Sequence, residues 1–248
     1  VCTGASARAT VPDPGARGEA AGGRTAKGPP EIPVPANKDW STGVRVEHAP
    51  DVTLEGLTLR RGATLAGGST LAVSNSQVTV LSCVIGGMAG AVIDVREGSS
   101  LTVRNSLLTT GARGICVADT GSSSRLTLIG CEFRRLVVGI VAWGDADVFV
   151  TGTRFGSPLA EGIVYENGSP AVIGNVFSGC SMAGVQNQGE NAGGAIAHNL
   201  FVDNAKGVAC FADQTSLRVD WNTFVDNKTG LSVSRKSDFA ATHNVFAN

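Results

Sequence analysis

From Val52 to Phe246 the apolar and polar positions follow one phrase, apolar-x-apolar-x-x-small-x-apolar, in nine copies. It reads VTLEGLTL at 52–59, VTVLSCVI at 78–85, LTVRNSLL at 101–108, LTLIGCEF at 126–133 and VFVTGTRF at 148–155. It continues as PAVIGNVF at 170–177, GAIAHNLF at 194–201, LRVDWNTF at 217–224 and FAATHNVF at 239–246. Successive starts lie 22–26 residues apart, the spacing of a stacked repeat. A Gly-led apolar marker falls between copies as GICV (114–117), GIVA (139–142), GIVY (162–165), GVQN (184–187), GVAC (207–210) and GLSV (230–233). Period-two alternation and β-branched residues within each unit predict three short strands separated by tight turns.

Short strands at a constant period bury their apolar faces by stacking. Each strand then pairs in parallel with its equivalent one rung away, about 4.8 Å along the axis. Equivalent residues fall into columns. One inward column is Leu59, Ile85, Leu108, Phe133, Phe155, Phe177, Phe201, Phe224 and Phe246, which holds six of the nine phenylalanines. A corner column is Leu57, Cys83, Ser106, Cys131, Thr153, Asn175, Asn199, Asn222 and Asn244. Stacked Asn side chains there are expected to satisfy corner backbone groups that burial would otherwise leave unpaired.

The Asn-x-Phe corner, the Gly-led strand and the 22–26-residue period resemble right-handed parallel β-helix repeat proteins of the pectin-lyase-like group. The resemblance covers about residues 40–248. It implies an all-β, right-handed parallel β-helix of about nine rungs with three short strands each. Residues 1–39 differ, since six of the nine prolines lie within the first 37 positions. They read as a Pro/Gly/Ala-rich linker or irregular N-terminal cap, with PPEIPVP (29–35) extended and polyproline-like. The chain stops two residues after Phe246 without a polar capping element, so further rungs or domains of a longer chain are expected.

Composition narrows the function classes. Thirty-three glycines and 5% aromatics suit a turn-dense β chain. A net charge of −1, with its basic residues dispersed, offers no field for nucleic acid. The longest apolar run, Leu136–Trp143, is too short to span a membrane. Cys83 and Cys131 share a column two rungs apart, about 10 Å, which is too far for a disulfide. The six cysteines therefore read as small buried apolar residues, which argues against a strongly oxidising setting. The resemblance instead favours an extracellular or cell-surface location.

The resemblance also implies that enzymes of this group act on polysaccharides with clustered carboxylates, Arg or Lys, and often calcium. The expected outward positions lack such a cluster. On the first strand they are Thr53, Thr79, Thr102, Thr127, Phe149, Ala171, Ala195, Arg218 and Ala240; on the Gly-led strand, Cys116, Val141, Val164, Gln186, Ala209 and Ser232.

Three groups remain as candidates. His198, Trp221 and His243 form a corner column beside Arg218 and Asp220. There the rings stack on a sugar while a histidine serves as acid or base, or they only shield the ladder. Asp203 and Asp226 match in two FVDN segments, about 5 Å apart, and read either as a carboxylate pair or as polar turns offset by Lys206 and Lys228. Glu190 and Asp213 occupy equivalent turns and are the candidate calcium ligands. They lack the nonapeptide calcium signature, so no resident cofactor is expected.

The favoured function is a module for carbohydrate binding or display within a larger protein, with ligand contacts at Trp221, Arg218 and Asp220 and no catalysis of its own. A polysaccharide lyase, glycoside hydrolase or epimerase using His198, His243, Asp203 or Asp226 is the alternative. A structural spacer is the third reading.

Overall fold

The structure, a computed structural model, describes residues 7–8, 31–34, 42–61, 68–87, 90–118, 123–156, 159–190, 193–211, 216–233 and 238–248. Every repeat copy supplies a strand to one parallel sheet. Val52–Glu55, Gln77–Leu81, Ser100–Arg104, Arg125–Ile129 and Asp147–Thr151 follow one another. Ala171–Ile173, Gly193–Ala197, Ser216–Asp220 and Ala240–Thr242 complete the run, and Ala7–Arg8 pairs at its other edge. This first ladder alternates as predicted, with Val52 and Leu54 buried and Thr53 and Glu55 exposed.

The second ladder runs through Glu31–Val34, Thr58–Arg61 and Val84–Gly87 to Val245–Ala247; the third begins at Thr42–Glu47 and ends at Thr229–Val233. In two rungs these ladders are not separate. Leu107–Ala118 and Glu132–Trp143 are each one twelve-residue strand serving both. Thr110 and Arg135 turn the chain there at φ 57° and 54° without ending the pairing.

Glu31–Val34, within the Pro-rich start, pairs in parallel with Thr58–Arg61. Among the described residues this strand has a neighbour on one side only, a setting in which Pro33 is tolerated. Apart from Ala7–Arg8, the rest of the expected cap lies outside the described residues.

The interior is a column of rings. Phe133, Phe155, Phe177, Phe201 and Phe224 are buried, with centroids 4.7–4.9 Å apart from one to the next. Leu59, Ile85 and Leu108 extend the column towards the N-terminus in register. The Gly-led marker now has a cause. A Cβ on Gly162 would lie 2.4 Å from the Gly184 carbonyl oxygen and 2.6 Å from Cδ1 of Phe177. Gly114, Gly139, Gly184, Gly207 and Gly230 face the ring of the following rung just as closely. Backbone and ring meet directly, so no side chain fits between them.

The corner column is a hydrogen-bond relay. Asn175 N donates to Asn199 Oδ1, Asn199 N to Asn222 Oδ1, and Asn222 N to Asn244 Oδ1, each at 2.9 Å. The amide nitrogens donate in turn to carbonyls on the preceding rung, as Asn199 Nδ2 does to Val172 O at 2.8 Å. Asn204 and Asn227 form a second relay at the next corner: Asn204 N donates to Asn227 Oδ1 at 3.0 Å.

The cysteines need one correction. Cys83 and Cys131 are buried and unpaired by disulfide, but they are not inert apolar filler. They occupy relay positions. Leu57 N donates to Cys83 Sγ at 3.4 Å, and the Cys131 thiol donates to Val103 O at 3.4 Å. The corner selects small polar atoms, and a thiol qualifies.

Burial pushes the Cys116 thiol up to about 11 and Cys180 up to about 12. Cys83 and Cys131 are raised for the same reason. Because the thiolate is the nucleophile, a Cys2→Ser variant should leave its thiols unmodified by an aromatic disulfide reagent at pH 8. All five remaining thiols, at 83, 116, 131, 180 and 210, should react once denaturant is added. Rapid labelling of the folded protein would contradict this burial.

Candidate functional site

At the first corner one residue per rung takes a left-handed backbone conformation. The column is Gly56, Ser82, Asn105, Gly130, Gly152, Gly174, His198, Trp221 and His243, with φ between 48° and 69°. Glycine does this freely, whereas for other L-residues it costs about 1–2 kcal/mol. In three successive rungs the corner carries a bulky ring instead. Trp221 and His243 stack at 4.1 Å with planes 2° apart; His198 lies 6.3 Å from Trp221 at 15°. All three side chains are exposed, Trp221 to 56%. One face of the indole is thus covered by His243, while the ring rims face solvent.

Arg218 and Asp220 stand beside this stack. Arg218 Nη2 lies 3.4 Å from an Asp220 carboxylate oxygen. The other oxygen accepts from Thr242 Oγ1 at 2.6 Å and from Thr242 N at 3.2 Å. The Thr242 hydroxyl bond is the main reason that this carboxyl is held below its ordinary range, with Arg218 adding to the effect. Asp220 is therefore an ionised, oriented acceptor.

The carboxylate pair lies elsewhere. Asp203 and Asp226 follow paired strands, with Val202 opposite Val225, so they stand one rung apart at the second corner, both exposed and in left-handed conformation. The Lys206 ammonium sits 4.5 Å from the centroid of the Phe211 ring, and among the described residues no ion pair joins it or Lys228 to either aspartate. Leu200–Val202 and Thr223–Val225 separate these aspartates from the ring corner. The structure does not bring His198 or His243 together with Asp203 or Asp226. Glu190 is exposed in its turn, and Asp213 lies outside the described residues. Among the described residues no group of three or more His, Cys, Asp or Glu side chains could hold a metal ion.

The outward columns keep the expected register. Thr53, Thr79, Thr102, Thr127, Phe149, Ala171, Ala195, Arg218 and Ala240 pair in sequence along the first ladder. The third ladder differs in exposure: Cys116, Val141, Val164, Gln186 and Ala209 are buried. Arg113 reaches over the Trp143 ring at 5.3 Å and Lys206 over Phe211. The first contact joins neighbouring rungs and the second the two ends of one strand, where Gln186, Lys206 and Phe211 also line a cavity of about 510 Å³.

Two groups escaped the sequence reading. Glu161 is buried, and burial raises its carboxyl above the usual range. Arg60–Arg61 and Arg134–Arg135 are doublets at the same offset after the inward residues Leu59 and Phe133. That shared offset was the available signal, because it places both doublets on one side of the coil.

The fold defines the class: the chain is a right-handed parallel β-helix. Residues 138–248 match the family model described as the right handed beta helix region. Among solved structures, tailspike protein 3 of bacteriophage CBA120 aligns at 11% identity and TM-score 0.38. The alignment covers 86% of this chain and 51% of the tailspike, so the chain spans about half of that protein. PfbA, a surface adhesin of Streptococcus pneumoniae, aligns at 11% identity and TM-score 0.35, covering 82% of this chain and 72% of PfbA. No curated protein sequence matches the chain. No helix among the described residues is long and apolar enough to cross a membrane.

Proposed function

We propose that the chain is a carbohydrate-binding module of a longer extracellular or surface protein, without catalysis of its own, and that it holds a polysaccharide at the first corner of its C-terminal rungs. The observation that carries this reading is the exposed stack of His198, Trp221 and His243 on strained corner positions. Four other rungs use glycine at that corner and avoid the strain. Bulky residues held in left-handed conformation point to a role beyond folding. An apolar ring with an N–H rim, beside an oriented Asp220–Arg218 pair, matches the mixed C–H and O–H surface of a sugar.

The test is Trp221→Gly. The change relieves about 1–2 kcal/mol of strain and removes about 0.5–1.5 kcal/mol of ring stacking, so the melting temperature should hold or rise slightly. Retention on a panel of neutral and acidic polysaccharides should fall about tenfold or more. Undiminished retention would remove the site from this corner. If the folded wild-type chain retains nothing, the spacer reading takes its place. Product release that disappears in a His198→Ala/His243→Ala variant would make the chain an enzyme.

A further inference from the structure

Arg61 poses a problem that the other described residues do not solve. Its side chain belongs to a residue only 7% exposed, and neither Nη1 nor Nη2 has a hydrogen-bond partner among the described residues. A guanidinium does not give up its proton in a protein, so burial cannot be relieved by neutralisation. An unpaired buried charge is among the least tolerated features of a fold. No described residue compensates this charge, which leaves the position open to a bound group.

The surroundings are shaped for one. Arg61 lines a cavity of about 540 Å³ together with Arg60, Arg134 and Arg135, and no lining residue carries a carboxylate. Arg60, Gly86, Thr109 and Arg134 are paired on successive rungs, so the outer arginines stand three rungs apart, about 14 Å. Between them Gly86 leaves the face bare of side chains. That bareness is enforced: a Cβ on Gly86 would lie 2.7 Å from Thr109 O. Arg134 is tied through Nε to Glu132 at 2.6 Å, which fixes the side chain at the rim.

We propose that this cavity is an oxyanion site, with Arg61 as the buried anchor and Arg134 and Arg135 at its mouth, taking a doubly charged tetrahedral group of the sulfate or phosphate kind. The guanidinium fork presents parallel N–H donors to two oxygens of such a group, and Arg134 and Arg135 offer further donors at the mouth. The group is either a free ion or an ester carried on a glycan. The site lies on the second ladder near the N-terminal rungs, away from the Trp221 corner, and stands without the carbohydrate reading.

The test is thermal unfolding of the whole chain in sodium sulfate against sodium chloride at equal ionic strength. Sulfate at a hundredfold excess over its Kd should raise the melting temperature by on the order of 5 °C beyond chloride. Arg61→Met keeps the stem and removes the charge; it should melt no lower than wild type in chloride and show no sulfate response. Because Arg61 is buried, exposed Arg135→Gln is the second variant. It should leave the melting temperature in chloride unchanged and weaken sulfate about tenfold. Equal stabilisation by the two salts, or a sulfate response that survives Arg61→Met, overturns the site.

Dextran sulfate and inorganic sulfate separate the sources. Tighter binding of the polymer per sulfate, lost in Arg61→Met, assigns the group to a glycan; equal binding per sulfate, lost in the same variant, assigns it to the free ion. Trp221→Gly should leave both untouched. A sulfate response lost in Trp221→Gly would overturn the separation of the two sites.

Discussion

Phe201→Asp is expected to abolish the folded solenoid, whereas Thr102→Asp leaves it intact. Phe201 is fully buried, with rings 4.9 Å away on both sides. Removing an aromatic side chain from a core costs about 3–5 kcal/mol, and a carboxylate in the same space adds several more. That sum reaches the whole stability of an ordinary domain, about 5–15 kcal/mol. Thr102 faces outward between Thr79 and Thr127 and is half-buried. A charge there remains solvated and should change stability by about 0.5 kcal/mol or less. Circular dichroism and thermal melts of the two variants read the difference directly. Equal stability would mean that the inward and outward columns are exchanged.

Asn199→Leu should destabilise the chain by about 3–6 kcal/mol while keeping the branched outline of the side chain. Most of the loss comes from hydrogen bonds, with the bulkier methyl groups adding to it. Asn175 N and Asn175 Nδ2 would lose their acceptor, at 2.9 and 3.1 Å, and Val172 O would lose its donor. Each stranded buried group costs about 1–3 kcal/mol. Asn199→Ser should recover roughly half. A serine already fills this position at Ser106, where it accepts from Cys83 N at 3.0 Å and donates to Arg104 O at 2.8 Å. Hydrogen exchange at the Asn175 amide distinguishes the relay from mere packing. Protection there should fall by about a hundredfold or more in Asn199→Leu, and an unchanged rate would show that the relay carries little of the stability.

Most of the architecture was legible because it depends on local period and on columns of like residues. The phrase from VTLEGLTL to FAATHNVF fixed the register of the first ladder, and each Thr, Ala or Phe on its outer face pairs as the spacing demanded. The second Asn relay was present in the two VDN segments, but the neighbouring aspartates drew the reading towards a polar turn. Burial of Cys116 and Val141 was not legible. It depends on Arg113 reaching Trp143 on the next rung, a contact between non-equivalent positions that a column analysis does not pair. The arginine cavity was hidden for a related reason. Two doublets become one site only when Gly86 between them is known to be bare and held.

The corner relay changes character along the axis. From Cys83 to Thr153 the relay runs through bonds between side chain and backbone, whereas from Asn175 onward it adds side chain-to-side chain bonds, at 3.1, 3.0 and 3.1 Å. A stacked array is governed by nearest-neighbour coupling, so this added bond makes the shaft unevenly stiff. Under tension along its length the C-terminal half is the tougher splice, and rungs should peel from the Ser/Cys/Thr half first. The aromatic corner thus sits on the segment best able to stay folded under load.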